Sequence, residues 1–538
     1  MDSDDDRPAA GYRWYVLGLF TLVYAFNFID RQIVTILAPY LKADLALSDA
    51  QLGLLFGTAF ALFYALFGLP LARLADGWNR VRTLSIGLAA WSAMTALSGT
   101  ATNFGQLALA RVGVGIGEAS ASPSAFSILQ DYFPKAQRAT ALALYSSGIY
   151  LGAGASLMIG GHVVGVWDRL YPAGTAPFGL AGWQAAYLAV GLPGLILALL
   201  VILTVREPVR GAIDGHPHPG DPHPFRAALG ELGMLFPPFS LRALSRLGAS
   251  RAMLRTNLLL LAGVVIAAIG LVLLTDALLA PAKRAPVFRI GDIVVTTNMI
   301  QWTAIAIGAY AVGSWMQAIR LRDPDAALLM IGTPGFVALA IAGGLLSFGS
   351  YALSAFLYLY GTRYLGMRPA DGFTIGAIAA VAGGLGTALG GVIADTAHRR
   401  HASGRLYVAA IAAALCGGLT IAQYLVGDLR SFYLLNFAAI LCLTMWLGPV
   451  FATAQDHVLP RMRGTATAVQ FLGINLIGLG LGPYWVGLVS DITGNLRFAI
   501  LSALVPIPIV IWLFLFAARR LPAAEARVTA LAAATRAS

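Results

Sequence analysis

The sequence predicts an all-α polytopic membrane protein, and three observations lead there. Of its 538 residues 58% are hydrophobic and only 11% charged, with a mean hydropathy of +0.75, whereas a soluble domain of this length needs far more polar surface. Apolar runs long enough to cross about 30 Å of hydrocarbon, roughly 20 residues each, recur along the whole chain. They are too long for barrel strands and lack a period of two, so they are helices.

Polar, Gly and Pro punctuation divides the first part into six runs, near 14–39, 51–74, 82–101, 104–131, 137–164 and 183–205. A polar stretch, 206–256, carries seven arginines and the tract His216-Pro217-His218-Pro219-Gly220-Asp221-Pro222-His223. Its composition is that of a flexible linker; alternating histidines also suit a metal, but no metal site is expected. Apolar runs near 257–280 and 293–319 follow, then six more near 332–362, 373–394, 405–426, 431–455, 465–489 and 496–518. The total is fourteen. The acidic N-terminus precedes a run too long for a signal-peptide core, so the first helix is expected to stay in the protein.

The net charge of +11 raises nucleic acid as a partner, but its distribution argues against it. Arg73, Arg80, Arg82, Lys135, Arg138, the 206–256 arginines, Arg320, Arg322, Arg399, Arg400, Arg405, Arg461 and Arg463 occupy alternate loops. That is the positive-inside pattern, and it places both termini in the cytoplasm. Cys416 and Cys442 lie within apolar runs, as small core residues do.

An internal repeat organises the chain. Asp76 and Arg80 recur as Asp395 and Arg399, each Asp preceded four positions earlier by a small residue, Ala72 or Gly391. Asp131 and Arg138, followed by Ala-Thr-Ala, recur as Asp456 and Arg463, followed by Gly-Thr-Ala. Two matches in one order indicate two six-helix bundles of like topology, 1–205 and 328–520. Between them lies 206–327, a cytoplasmic linker plus a transmembrane hairpin at about 257–319; a tail, 521–538, follows. Equivalent loops must face one side, so an even number of spans separates the halves. Two helices lying on the membrane meet the same condition, although these runs lack a charged face.

Four ionisable residues stand inside apolar runs: Asp30 and Arg31 in the first, Arg111 and Glu118 in the fourth. A charge at membrane depth costs a few kcal/mol or more, so it normally faces a partner or a water-filled path. Arg111 and Glu118 are seven residues apart, about 10 Å and almost two turns, so they point the same way. Asp30 falls between them in depth and is placed to reach either. Burial makes a carboxylate harder to ionise and a nearby arginine makes it easier, so a moving partner changes its proton affinity. This reading makes Asp30 and Glu118 proton-coupling residues. In the structural alternative the charges hold two helices together. Arg111 suits a bond to neighbouring backbone equally well, and Arg31 suits a substrate head group or a partner on another helix.

These motifs carry a resemblance. The two loops resemble the Gly-x3-Asp-Arg-x-Gly-Arg-Arg signature of the major facilitator superfamily, imperfectly: Ala72, Gly77 and Asn79 depart from it in the first copy and Thr396 in the second. Arg111-x3-Gly115-x-Gly117 resembles the fourth-helix signature. Within that superfamily, Asn27-Phe28-Ile29-Asp30-Arg31, Asp76-Gly77-Trp78-Asn79-Arg80, Gly113 to Ser120 and Gly482-Pro483-Tyr484 through Ser490-Asp491 are similar to Spinster-like lipid transporters. The resemblance implies the major facilitator fold in the inner (plasma) membrane; the two extra helices between the bundles, read from the apolar runs at 257–319, have no counterpart in it. It also implies alternating access, a lysophospholipid or sphingosine-type cargo, and proton coupling.

Other residues complete the expected site. Asn27, Tyr351, Trp446 and Asn475 join Arg31 and Arg111 as a substrate and charge network, with a polar head toward the first half and a tail against the second. Asp76, Arg80, Asp395 and Arg399 are expected to act as a cytoplasmic gate, pairing with each other or with a helix terminus. The glycines Gly148, Gly152, Gly154, Gly478, Gly480 and Gly482 allow close helix approach. No cofactor is expected. Catalysis is disfavoured because no convergent His/Asp or Ser/His groups lie at depth, and nucleotide-driven pumping because no Gly-x4-Gly-Lys-Ser/Thr loop exists. The expected partners are an amphipathic lipid, protons and membrane lipids, and the protein is expected to be a monomer. The alternative is a facilitator-type carrier of an amphipathic drug, a sugar or an organic anion.

Overall fold

The computed structural model describes residues 10–172, 175–210, 213, 221–284, 286–459 and 462–537. The histidines at 216 and 218 and Arg461 lie outside them. Each of the fourteen apolar runs contains a helix, although the run at 293–319 begins as a strand, and eleven helices among the described residues are long and apolar enough to cross a membrane.

The first six runs form α1 (Ala10–Asp44), α2 (Asp49–Gly77, broken at Gly57), α3 (Arg80–Ser98), α4 (Phe104–Glu118, resuming as Ala121–Tyr132), α5 (Lys135–Leu170) and α6 (Gly182–Thr204). The 206–256 stretch is not all linker: it contains α7 (Pro224–Gly233) and α8 (Phe239–Arg246). The inserted hairpin is α9 (Arg251–Leu278) and α10 (Thr297–Arg322). They are joined by an antiparallel ribbon of β1 (Pro286–Ile290) and β2 (Ile293–Thr296). Gly291, with φ +56°, makes the ribbon's turn. The last runs give α11 (Pro334–Tyr364), α12 (Asp371–Arg400), α13 (Gly404–Leu425), α14 (Leu429–Asp456), α15 (Arg463–Thr493) and α16 (Leu496–Leu531).

Polar punctuation sets the starts. Ser48 and Gln51 form a reciprocal capping box at α2. Asn79, Asn103, Ser250, Thr296, Asp428 and Asn495 each accept an N-terminal backbone N–H of α3, α4, α9, α10, α14 and α16.

The chain divides into two compact units. The first comprises Met1–Leu37, Phe63–Leu232 and Pro369–Ala380, so it takes most of the first half and the start of α12. Its core includes Phe20, Ile33, Leu84, Trp91, Leu107, Val114 and Tyr187. Within it the glycines of α5 work as spacers: a Cβ on Gly152 would stand 2.2 Å from the Ala25 carbonyl of α1, and one on Gly154 2.6 Å from the Gly376 carbonyl of α12. The second unit comprises Ala38–Leu62, Gly233–Arg368 and Val381–Ser538. Phe336, Leu339, Leu406, Trp446, Val450 and Phe514 are part of its core.

Candidate functional site

Within the first unit three of the four charges divide between one side-chain pair and bonds to the backbone. Arg31 Nη2 donates to Glu118 Oε2 at 2.9 Å, and both side chains are buried. The Arg31 guanidinium also lies over the rings of Phe28, 4.8 Å away, and Tyr64, 5.0 Å away, contacts that favour a desolvated cation. Asn27, one turn earlier on α1, faces the same carboxylate. Adjacent residues on a helix diverge by about 100°, so Arg31 and Asp30 cannot face the same neighbour.

Asp30 is fully buried, and its carboxylate oxygens accept no hydrogen bond among the described residues. It therefore makes no hydrogen bond to Arg111 or Glu118. Trp91 and Thr95 of α3 and Tyr187 of α6 stand around it. Their Nε1, Oγ1 and hydroxyl groups are buried short of hydrogen-bond geometry. Burying a carboxylate without a hydrogen bond costs several kcal/mol.

Arg111 takes the backbone instead. Its Nη1 donates to the Asp30 carbonyl at 2.8 Å and its Nη2 to the Arg31 carbonyl at 3.2 Å. Ser156 of α5 donates to the preceding carbonyl, that of Ile29, at 2.9 Å. Each carbonyl has a second lone pair beyond its helical bond, so three consecutive residues of α1 are gripped from two neighbouring helices. Glu118 ends the first piece of α4, where Gly113, Gly115 and Gly117 weaken the helix. A Cβ on Gly117 would stand 2.8 Å from the Trp91 amide, so glycine here lets α4 press on α3.

The arginine-rich loops are internal braces of each half. Arg80 donates to Asp131, to Glu207 at 2.6 Å and to the Pro208 carbonyl at 2.8 Å, while Glu207 also accepts the Val81 amide at the start of α3. Asp76 lies beside Arg210, whose Nη2 donates to the Trp78 carbonyl at 2.6 Å. In the second unit Arg405, not Arg399, bonds Asp395 at 2.9 Å and Asp456 at 2.9 Å. The helices explain this correction: Arg80 opens α3, and the equivalent place at the start of α13 belongs to Arg405.

The candidate residues of the second half are spread through the second unit. Trp446 is buried in its core and Tyr351 packs against that core. Asn475 occupies a π turn of α15, Ile474–Leu479, and donates to the Phe471 carbonyl at 2.8 Å.

Sequence reasoning missed a polar knot in the second unit. Asp49, the first residue of α2, accepts from Lys42, from Arg363 of α11 at 3.1 Å and from Ser490 of α15 at 2.7 Å. The neighbouring Asp491 carboxylate accepts the Asp49 and Ala50 amides at 3.1 and 2.8 Å, capping α2 from another helix. Glycines make the contact possible, since a Cβ on Gly487 would stand 2.2 Å from the Asp49 carbonyl and one on Gly53 2.3 Å from that of Pro483. The closing Ser490-Asp491 of the α15 motif was the signal available.

Comparison with known proteins agrees with this architecture. The Major Facilitator Superfamily model matches residues 20–483. An MFS-type efflux pump of Mycolicibacterium smegmatis is 25% identical over 91% of this chain and 88% of its own. A hexuronate transporter of Bacillus subtilis is 28% identical over 45% of this chain, and protein spinster of Drosophila melanogaster 27% over 38%. The chain spans only 53% and 31% of those two proteins' lengths. The crystal structure of a bacterial homolog of the human lysosomal transporter Spinster, inward-facing and occupied, superposes with a TM-score of 0.67. It has 25% identity and covers 95% of this chain and 98% of that one. The chain belongs to the major facilitator superfamily, and it is a Spinster-like polytopic membrane transporter.

Proposed function

We propose that the chain is a proton-coupled secondary transporter that moves an amphipathic lipid, of lysophospholipid or sphingosine type, by alternating access. The observation that carries this reading is the division of labour between Asp30 and Arg31: one buried carboxylate that accepts no hydrogen bond among the described residues, beside one buried arginine already holding Glu118. A proton on Asp30 removes an uncompensated buried charge. Arg31 can exchange Glu118 for an anionic head group, and the freed Glu118 is then a second proton acceptor. Asn27 serves the same exchange. Asp49 and Asp491 tie α2 to α11 and α15, which supports a cycle in which that end opens and closes. Both termini lie in the cytoplasm, following the arginine-rich loops. Asp76 and Arg80, with Asp395 and Arg405 in the place first given to Arg399, stiffen the cytoplasmic ends against which a gate moves.

A second reading has its own support. Arg31 also suits the carboxylate of a small organic anion, and a relative named for hexuronate transport is among the matches. The deciding experiment is uptake by proteoliposomes of labelled lysophospholipid, sphingosine-type lipid and hexuronate, each with and without an inward proton gradient. Lipid uptake that rises with the gradient supports the proposal. Gradient-driven hexuronate uptake without lipid uptake replaces it with the second reading.

A further inference from the structure

Helix α15 does not complete its own hydrogen-bond ladder. Pro483 lacks an N–H, so the Leu479 carbonyl loses its helical donor just where the π turn ends. The backbone around this break faces two other elements. A Cβ on Gly57 of α2 would stand 2.3 Å from the Leu479 carbonyl. The next carbonyl, Gly480, accepts from Gln301 Nε2 of α10 at 3.0 Å. The Thr58 hydroxyl of α2 reaches both this carbonyl and Gln301 Oε1.

The contact continues along one face of α10. Asn298 accepts from the Tyr484 hydroxyl at 2.7 Å and donates to Asp276 of α9 at 2.6 Å. Trp302 packs edge-on against Tyr484 with ring centroids 5.7 Å apart. Positions 298, 301 and 302 share a helix face by their spacing. By contrast α9 is largely exposed and apolar, with Leu259, Ile266 and Leu273 each at least 66% exposed. A hairpin that only anchored the chain in lipid would need no buried amide, because an unbonded amide in an apolar medium is costly.

We propose that Gln301 is a positioning residue of the transport cycle: through it the inserted hairpin clasps α2 to α15 at the Pro483 break. It thereby sets the balance between the state in which these helices touch and the state in which they part. The inference rests on the transporter assignment and is independent of cargo and of protons.

The test is dipolar spectroscopy on the full chain in nanodiscs, with Cys416 and Cys442 replaced by Ser. Nitroxides are placed at the exposed A43C and T493C positions, near the Asp49 and Asp491 ends of the two helices. Loss of one buried hydrogen bond shifts such a two-state balance by about fivefold. Q301A is expected to raise the weight of the longer distance by about that factor. Q301E, similar in size but lacking the donor to Gly480, is expected to do the same. T58V keeps the shape, loses the hydroxyl and moves the balance the same way, and it decides the matter alone if the Gln301 variants fail to fold. Unchanged distance distributions in the folded variants, with or without a lower melting temperature, overturn the proposal. No substrate enters this measurement, so its failure leaves the lipid reading intact, and failed lipid uptake leaves this one intact.

Discussion

Arg31 Nη2 stands 2.9 Å from Glu118 Oε2 with both side chains buried, while Asp30 beside it accepts no hydrogen bond among the described residues. Removing one member of a buried ion pair leaves the other uncompensated, at a cost of about 3 kcal/mol or more. Glu118→Gln is therefore expected to lower the melting temperature in detergent and to reduce uptake by at least about tenfold. Adding Arg31→Met is expected to restore most of the stability and none of the uptake. Additive losses in stability would sink the pairing argument.

Asp30 predicts the opposite pattern. Asp30→Asn keeps the shape and removes a charge that has no hydrogen bond, so stability is expected to hold or rise. Uptake driven by a pH gradient is expected to collapse, while exchange at equal pH persists. Retained gradient-driven uptake in Asp30→Asn would assign the proton to another group.

The braces at the arginine-rich ends distinguish two neighbouring residues. Arg405→Ala removes the bonds to Asp395 and Asp456 and is expected to cost about 0.5–1 kcal/mol, since those carboxylates are partly exposed. Arg399→Ala is expected to cost less, a ranking that parallel thermal melts can reverse.

His457 lies in the loop between α14 and α15, outside the apolar spans. Its Nδ1 bonds the Thr453 carbonyl at 2.7 Å, and burial holds the imidazole below its ordinary value of 6.5. The unfolded chain thus takes a proton that the folded one refuses. Stability from this residue is present above about pH 6.5 and is lost as pH falls from there toward the folded value. Melting temperatures from pH 7.5 to 5 are expected to fall in the wild type and to fall less in His457→Gln.

What was legible in the sequence follows from periods and costs. Apolar runs of membrane length mark the long helices, because the bilayer tolerates no other backbone, whereas the short α7 and α8 in the polar stretch were not marked. The correspondence of Asp131 and Asp456 across the repeat was also legible, since each accepts an arginine from the start of the helix before its own, Arg80 of α3 and Arg405 of α13. The partner of Asp395 was not, because the loop before α13 shifts which arginine opens the helix. Burial of Asp30 and Glu118 followed from composition, but which of Asp30 and Arg31 meets Glu118 depends on helix rotation, which spacing within one segment does not set. Asp49 and Gln301 were hard to see for a related reason. Each stands at a segment edge or in an unfamiliar insert, and its partners on other helices, Arg363 and Ser490 for the one and Thr58 and Gly480 for the other, are far away in sequence.

Arg111 holds main-chain oxygens of α1, and so does Ser156. Main-chain atoms are the same whatever side chain is attached. Substitutions at 30 and 31 can therefore change charge, size or reach without unseating α1 from α4 and α5. Positions 30 and 31 are thus two adjustable side chains on a fixed mount, open to change while one helix packing is kept.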